Sequence, residues 1–193
     1  MRKLCVSVVT VLLVSIAAQA QDKTPVVEIY GGYSYLNFDL ALDPVTRPGR
    51  QNANGVGLNV AGNFNNWFGV VGDFSYNTKD VAIPEFGGEK AAARNLYFLV
   101  GPRLSLRRER TTLFAQALAG VGHTRVDLGG VPKFTDLAFG LGGGLDINAN
   151  KRIAIRAFQF DYLPSRTTND FTKEKVWLHN IRAQVGIVLK LGN

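Results

Sequence analysis

The chain has 193 residues, 46% of them apolar and 19% charged, with a formal charge of +7, one cysteine and two histidines. That apolar share excludes a disordered chain, and the single Cys5 excludes an internal disulfide framework and a thiolate zinc site. The cations are not interleaved with aromatic residues on any one stretch, which argues against nucleic-acid binding.

The first element reads as a secretory signal. Arg2 and Lys3 precede an apolar run over Val6–Ala17, and Ala18-Gln19-Ala20 supplies a small-x-small cleavage site. A spanning helix needs about 20 apolar residues, more than this run offers. A signal peptide over 1–20 and one domain over 21–193 are therefore expected. Cys5 leaves with the signal, and because it precedes the apolar run it is no lipoprotein anchor. An exported domain without disulfides points to a fold stabilised by a closed hydrogen-bond network.

Eight period-two segments follow, and none has the 3.6-residue period of a helix. Over 27–35, Val27, Ile29, Tyr33 and Tyr35 oppose Glu28, Tyr30, Gly32 and Ser34. Over 55–64, Val56, Leu58, Val60 and Phe64 oppose Gly57, Asn59, Ala61 and Asn63; over 67–76, Phe68, Val70, Phe74 and Tyr76 oppose Gly69, Val71, Asp73 and Ser75. Over 95–104, Leu96, Phe98, Val100 and Pro102 oppose Asn95, Gly101 and Arg103, whereas 112–122 is strand-like with ambiguous facing. Leu137, Phe139, Leu141, Leu145 and Ile147 oppose Asp136, Ala138, Gly140, Gly142, Gly144 and Asp146. Over 152–162, Ile153 and Ile155 oppose Arg156 before alternation fails around Phe158-Gln159-Phe160-Asp161, as a bulge would cause. The last segment, 177–191, sets Ile181, Ala183, Val185, Ile187 and Leu189 against Asn180, Arg182, Gln184, Gly186 and Lys190.

The connections alternate in length. Asn65-Asn66, 105–111 and 148–151 are short; 36–54, 77–91, 123–135 and 163–175 are long and rich in Pro, Gly, Asp, Asn and Thr. This layout predicts an all-β, eight-stranded antiparallel up-and-down transmembrane β-barrel with short periplasmic turns and longer extracellular loops. The aromatic residues Tyr33, Tyr35 and Tyr76 near one rim, with Phe64 and Phe68 near the other, read as interfacial girdles. Two short turns are basic, with Arg107, Arg108, Arg110, Lys151 and Arg152 against Glu109.

The charges on the small-residue faces are the candidate site. An eight-stranded barrel is just wide enough inside for side chains to fill. Glu28, Asp73, Arg103, Asp146, Arg156 and Arg182 are thus expected to form a lumen ion-pair network. No catalytic, cofactor or metal residues are assigned. His123 and His179 are too few for a metal centre without further ligands, and no G-x-S-x-G occurs. The glycines of Gly142-Gly143-Gly144 continue through a strand rather than opening a helix, so they make room for large neighbours instead of cradling phosphate.

Glu28-Ile29-Tyr30-Gly31-Gly32-Tyr33-Ser34-Tyr35, Val71-Gly72-Asp73-Phe74, Val100-Gly101-Pro102-Arg103, Gly142-Gly143-Gly144-Leu145-Asp146, Asp161-Tyr162-Leu163-Pro164 and Gly186-Ile187-Val188 together resemble the OmpA-like outer membrane protein beta-barrel family. The resemblance spans the chain after the signal. It implies a barrel in the Gram-negative outer membrane, inserted by the barrel assembly machinery and in contact with outer membrane lipids and lipopolysaccharide, as a monomer. It departs from that family in having no peptidoglycan-binding domain and in ending Leu189-Lys190-Leu191-Gly192-Asn193 without a terminal aromatic. The expected function is a non-enzymatic structural barrel or a narrow, gated pore for small solutes. The alternatives are a lipid-modifying enzyme like the lipid A deacylases, a surface adhesion or receptor protein, and a soluble lipocalin-like ligand binder.

Overall fold

Strands with one apolar face and one small or charged face satisfy every edge only by closing on themselves, and in the computed structural model they do so. The structure describes residues 24–38, 50–82, 90–126, 134–168 and 175–192. The expected signal peptide with Cys5, and the middles of the four long connections, lie outside the described residues. Eight strands follow in order: β1 (Val27–Phe38), β2 (Gln51–Asn63), β3 (Phe68–Ala82), β4 (Lys90–Arg107), β5 (Thr111–Val126), β6 (Phe134–Asn148), β7 (Ile153–Thr168) and β8 (Lys175–Leu191). Each pairs antiparallel with its chain neighbour, and β1 pairs with β8 from Val27↔Leu191 to Asn37↔Ile181, so the barrel is closed.

The strands run past the ends expected from sequence. Leu36–Phe38, Gln51–Asn54, Asn77–Ala82 and Leu163–Thr168 are ladder, not loop, and β4 runs to Arg107, leaving Arg108–Arg110 as the turn to β5. These ends carry Asn, Thr, Ser and Arg, whose composition reads as loop although backbone pairing does not depend on it. Two of the short turns are closed alike by an asparagine. Asn65 Oδ1 accepts from the Trp67 and Phe68 amides at 3.0 and 2.8 Å, and Asn150 Oδ1 from those of Arg152 and Ile153 at 2.8 Å each.

The outer face is apolar through the middle of every strand. Val56, Leu58, Phe98, Val100, Leu113, Leu141, Ile155, Phe160 and Ile187 are all exposed on it. Aromatic residues gather near both rims: beside the β2–β3 turn Phe64 stacks on Phe68 and Trp67 meets Phe68 tilted, and Phe139 meets Trp177 at 6.3 Å toward the other end. The ambiguous β5 turns Thr112, Phe114, Gln116 and Leu118 inward and Leu113 and Val121 outward.

One bulge resets the phase of β7. Asp146 pairs with Arg156 but Leu145 with Phe158, and on the other side Arg156 pairs with Gly186 but Gln159 with Gln184. The irregularity therefore lies at Ala157 and Phe158, at the leading edge of the expected 158–161. Beyond it alternation is strict, with Gln159, Asp161, Leu163 and Ser165 buried and Phe158, Phe160 and Tyr162 exposed.

Candidate functional site: the charged lumen

All six charges expected inside the barrel are buried there, at 0 to 2% exposure. Alternation on β1, β3, β4, β6, β7 and β8 turns them inward, and the closed barrel brings Arg182 to Asp73, 109 positions away in the chain.

Toward the short-turn rim, Arg107 Nη1 donates to Glu28 at 2.7 Å, and Arg103 lies 3.8 Å from Glu28 and 3.3 Å from Asp146. Asp146 also receives Arg156 Nε and Nη2 at 2.8 and 3.1 Å, a two-pronged pair that only a guanidinium can make. Higher up, Arg182 reaches both oxygens of Asp73 at 2.7 and 2.9 Å, Asp161 at 2.9 and 3.1 Å, and Ser75 at 2.8 Å. Two amides join the clusters. Arg156 Nη1 donates to Asn59 and Gln159 at 2.6 Å each, Asn59 donates on to Asp73, and Gln159 to Asp161 at 2.7 Å. A continuous network thus runs from Glu28 to Arg182.

Aromatic faces line its lower half. Phe114 lies under Arg103 at 3.8 Å and Arg156 at 4.5 Å, and Tyr30 under Arg156 at 4.3 Å. The short-turn end is the loosest, since Glu28 Oε2, Arg103 Nε and two Arg107 nitrogens make no hydrogen bond. Glycine provides the width. A Cβ on Gly144 would lie 2.8 Å from Phe114 Cζ, and one on Gly122 2.9 Å from Tyr97 Cε1. Gly144→Val is expected to lower unfolding stability in lipid vesicles by about 1–3 kcal/mol, read from a urea titration.

The lumen is not polar throughout, and it holds more large apolar residues than the sequence pattern shows. Leu36, Phe38, Tyr97, Leu99, Leu118 and Leu163 form an apolar layer toward the long-connection rim. On the outside of that rim Asn52, Asn54, Thr78, Arg94 and Arg125 are exposed, next to buried Ala53 and Ala93. There the sheet faces as a soluble barrel does, apolar inward and polar outward.

Sequence reading missed Asp161, Arg107, Asn59 and Gln159 as network members. Arg107 has the spacing of a turn residue, and the bulge hides Asp161 by reversing the face its spacing from Arg156 implies. The histidines sit apart on the outer edge: His123 Nδ1 bonds Thr135 Oγ1 at 2.8 Å, and His179 stacks on Tyr162 with ring centres 5.9 Å apart. Among the described residues no group of three metal-ligating side chains occurs.

The profile of the family described as "Outer membrane protein beta-barrel domain" matches residues 6–188. The chain belongs to this family. Its barrel is accordingly an outer membrane barrel, and the apolar outer band is its lipid-facing surface. Solved structures share the fold. Neisserial surface protein A is 10% identical with a TM-score of 0.65, covering 86% of this chain and 97% of its own. Ail, the attachment invasion locus protein of Yersinia pestis, is 17% identical with a TM-score of 0.57, covering 87% and 99%. OprG from Pseudomonas aeruginosa is 16% identical with a TM-score of 0.56, covering 87% and 96%. A search of curated protein sequences finds no match. At these identities the likeness to solved members of the outer membrane barrels is one of fold alone.

Proposed function

We propose that the protein is a non-enzymatic, structural barrel of the Gram-negative outer membrane whose lumen is closed. The observation that carries this reading is the unbroken side-chain network from Glu28 to Arg182 beneath an apolar layer, with Arg103, Arg156 and Arg182 all at 0 to 1% exposure. Paired charges and buried leucines fill the bore that an aqueous pore would need. The signal over 1–20 delivers the chain across the inner membrane, and the assembly machinery inserts it as a monomer among phospholipid and lipopolysaccharide. The short turns then face the periplasm and the long connections the exterior. The rim histidines, engaged with Thr135 and Tyr162, give no support to lipid-A chemistry.

Liposome swelling separates this from a narrow, gated pore for small solutes. Vesicles carrying the refolded protein are expected to swell in sugars or amino acids no faster than empty ones. Solute-dependent swelling would overturn the proposal. Unchanged lipid-A acyl chains on overexpression are expected as well, and loss of an acyl chain would restore the enzymatic alternative.

A further inference from the structure

The short-turn rim is uneven. The β2–β3 turn, Phe64-Asn65-Asn66-Trp67, carries no charge, while Arg108, Arg110, Lys151 and Arg152 stand exposed on the other side against the single Glu109. Asn148 gathers these cations into one surface. Its Nδ2 donates to the Arg108 and Glu109 carbonyls at 3.3 and 3.1 Å, and its backbone amide to the Arg110 carbonyl at 2.9 Å. Its Oδ1 accepts from Lys190 Nζ at 2.5 Å, and the Lys190 amide donates to the Arg152 carbonyl at 2.7 Å. Two turns and the end of β8 are thereby held side by side. Leu106, Leu113, Ile147 and Ile153, all exposed on the lipid face, adjoin them, so the cations border the acyl-chain region at headgroup depth.

We propose that this half of the rim binds the phosphates of anionic glycerophospholipids. Guanidinium groups beside an apolar wall match a phosphate carried on acyl chains, and neutral headgroups offer no net charge to hold. That these lipids lie in the periplasmic leaflet rests on the sidedness proposed for the barrel; the phosphate chemistry does not.

Native mass spectrometry of the purified full barrel, offered phosphatidylglycerol or phosphatidylcholine of the same chains, tests it. The wild type should retain phosphatidylglycerol about tenfold better, and inorganic phosphate should not displace it. Arg108→Gln/Arg110→Gln/Arg152→Gln should lose the preference, while Arg50→Gln/Arg94→Gln/Arg125→Gln, at the opposite rim, should keep it. Equal retention of both lipids by the wild type, or equal loss in both triple variants, would overturn the proposal, as would displacement by free phosphate. Should the first variant fail to fold, Arg152→Gln alone should weaken the preference about fivefold, and no change would overturn it. None of these results depends on whether the lumen conducts.

Discussion

Arg182→Ala should destabilise the barrel by about 3–5 kcal/mol, the cost of stranding buried charges without their partner. Arg182 is the shared counter-ion of Asp73 and Asp161, both at 0 to 1% exposure, and it also holds Ser75. Removing it leaves two carboxylates on facing strands with only Asn59, Gln116 and Gln159 as donors among the hydrogen bonds seen. Arg182→Lys should recover little, because one ammonium cannot span both carboxylates as the planar guanidinium does. Urea unfolding in vesicles, followed by the loss of heat-modifiable gel migration, reads the effect. An unfolding midpoint equal to that of the wild type would show that the network adds nothing to stability.

Leu141→Arg is expected to cost about 2–4 kcal/mol in a bilayer, since Leu141 lies mid-strand on the lipid face of β6. It is 66% exposed, so nothing in the protein's own packing would oppose the change. The same substitution in a soluble barrel would be close to neutral. The sign of the experiment therefore reports what solvent the outer face meets. A urea titration in thin-chain vesicles measures it, and an Arg variant as stable as the wild type would contradict a lipid-facing Leu141.

The strand count, the barrel and the inward facing of all six predicted charges were legible because alternation is a property of consecutive residues and needs no partner to be seen. Where reading failed, the cause was local. The bulge at Ala157 and Phe158 inserts one step that reverses every later residue of β7, and so conceals Asp161. Asn77 and Thr124 read as loop residues by composition, yet they lie in the ladder, where Asn77 binds Ser34 and Thr124 binds Asn95. The apolar layer was hidden for a different reason. Leu99 interrupts the small-and-polar face of its strand, Leu118 lies where facing is ambiguous and Leu163 where a loop is expected, and only closure of the barrel shows that they meet one another.

Two layers in series close the bore, and single-channel recording of the refolded protein in planar bilayers tests that most directly. The wild type should show no current steps. Arg103→Ala/Arg156→Ala should stay silent as well, because the leucine layer above remains dry, and steps should appear only when Leu99→Ser and Leu118→Ser are added. Steady, ohmic steps from the wild-type barrel would contradict the account.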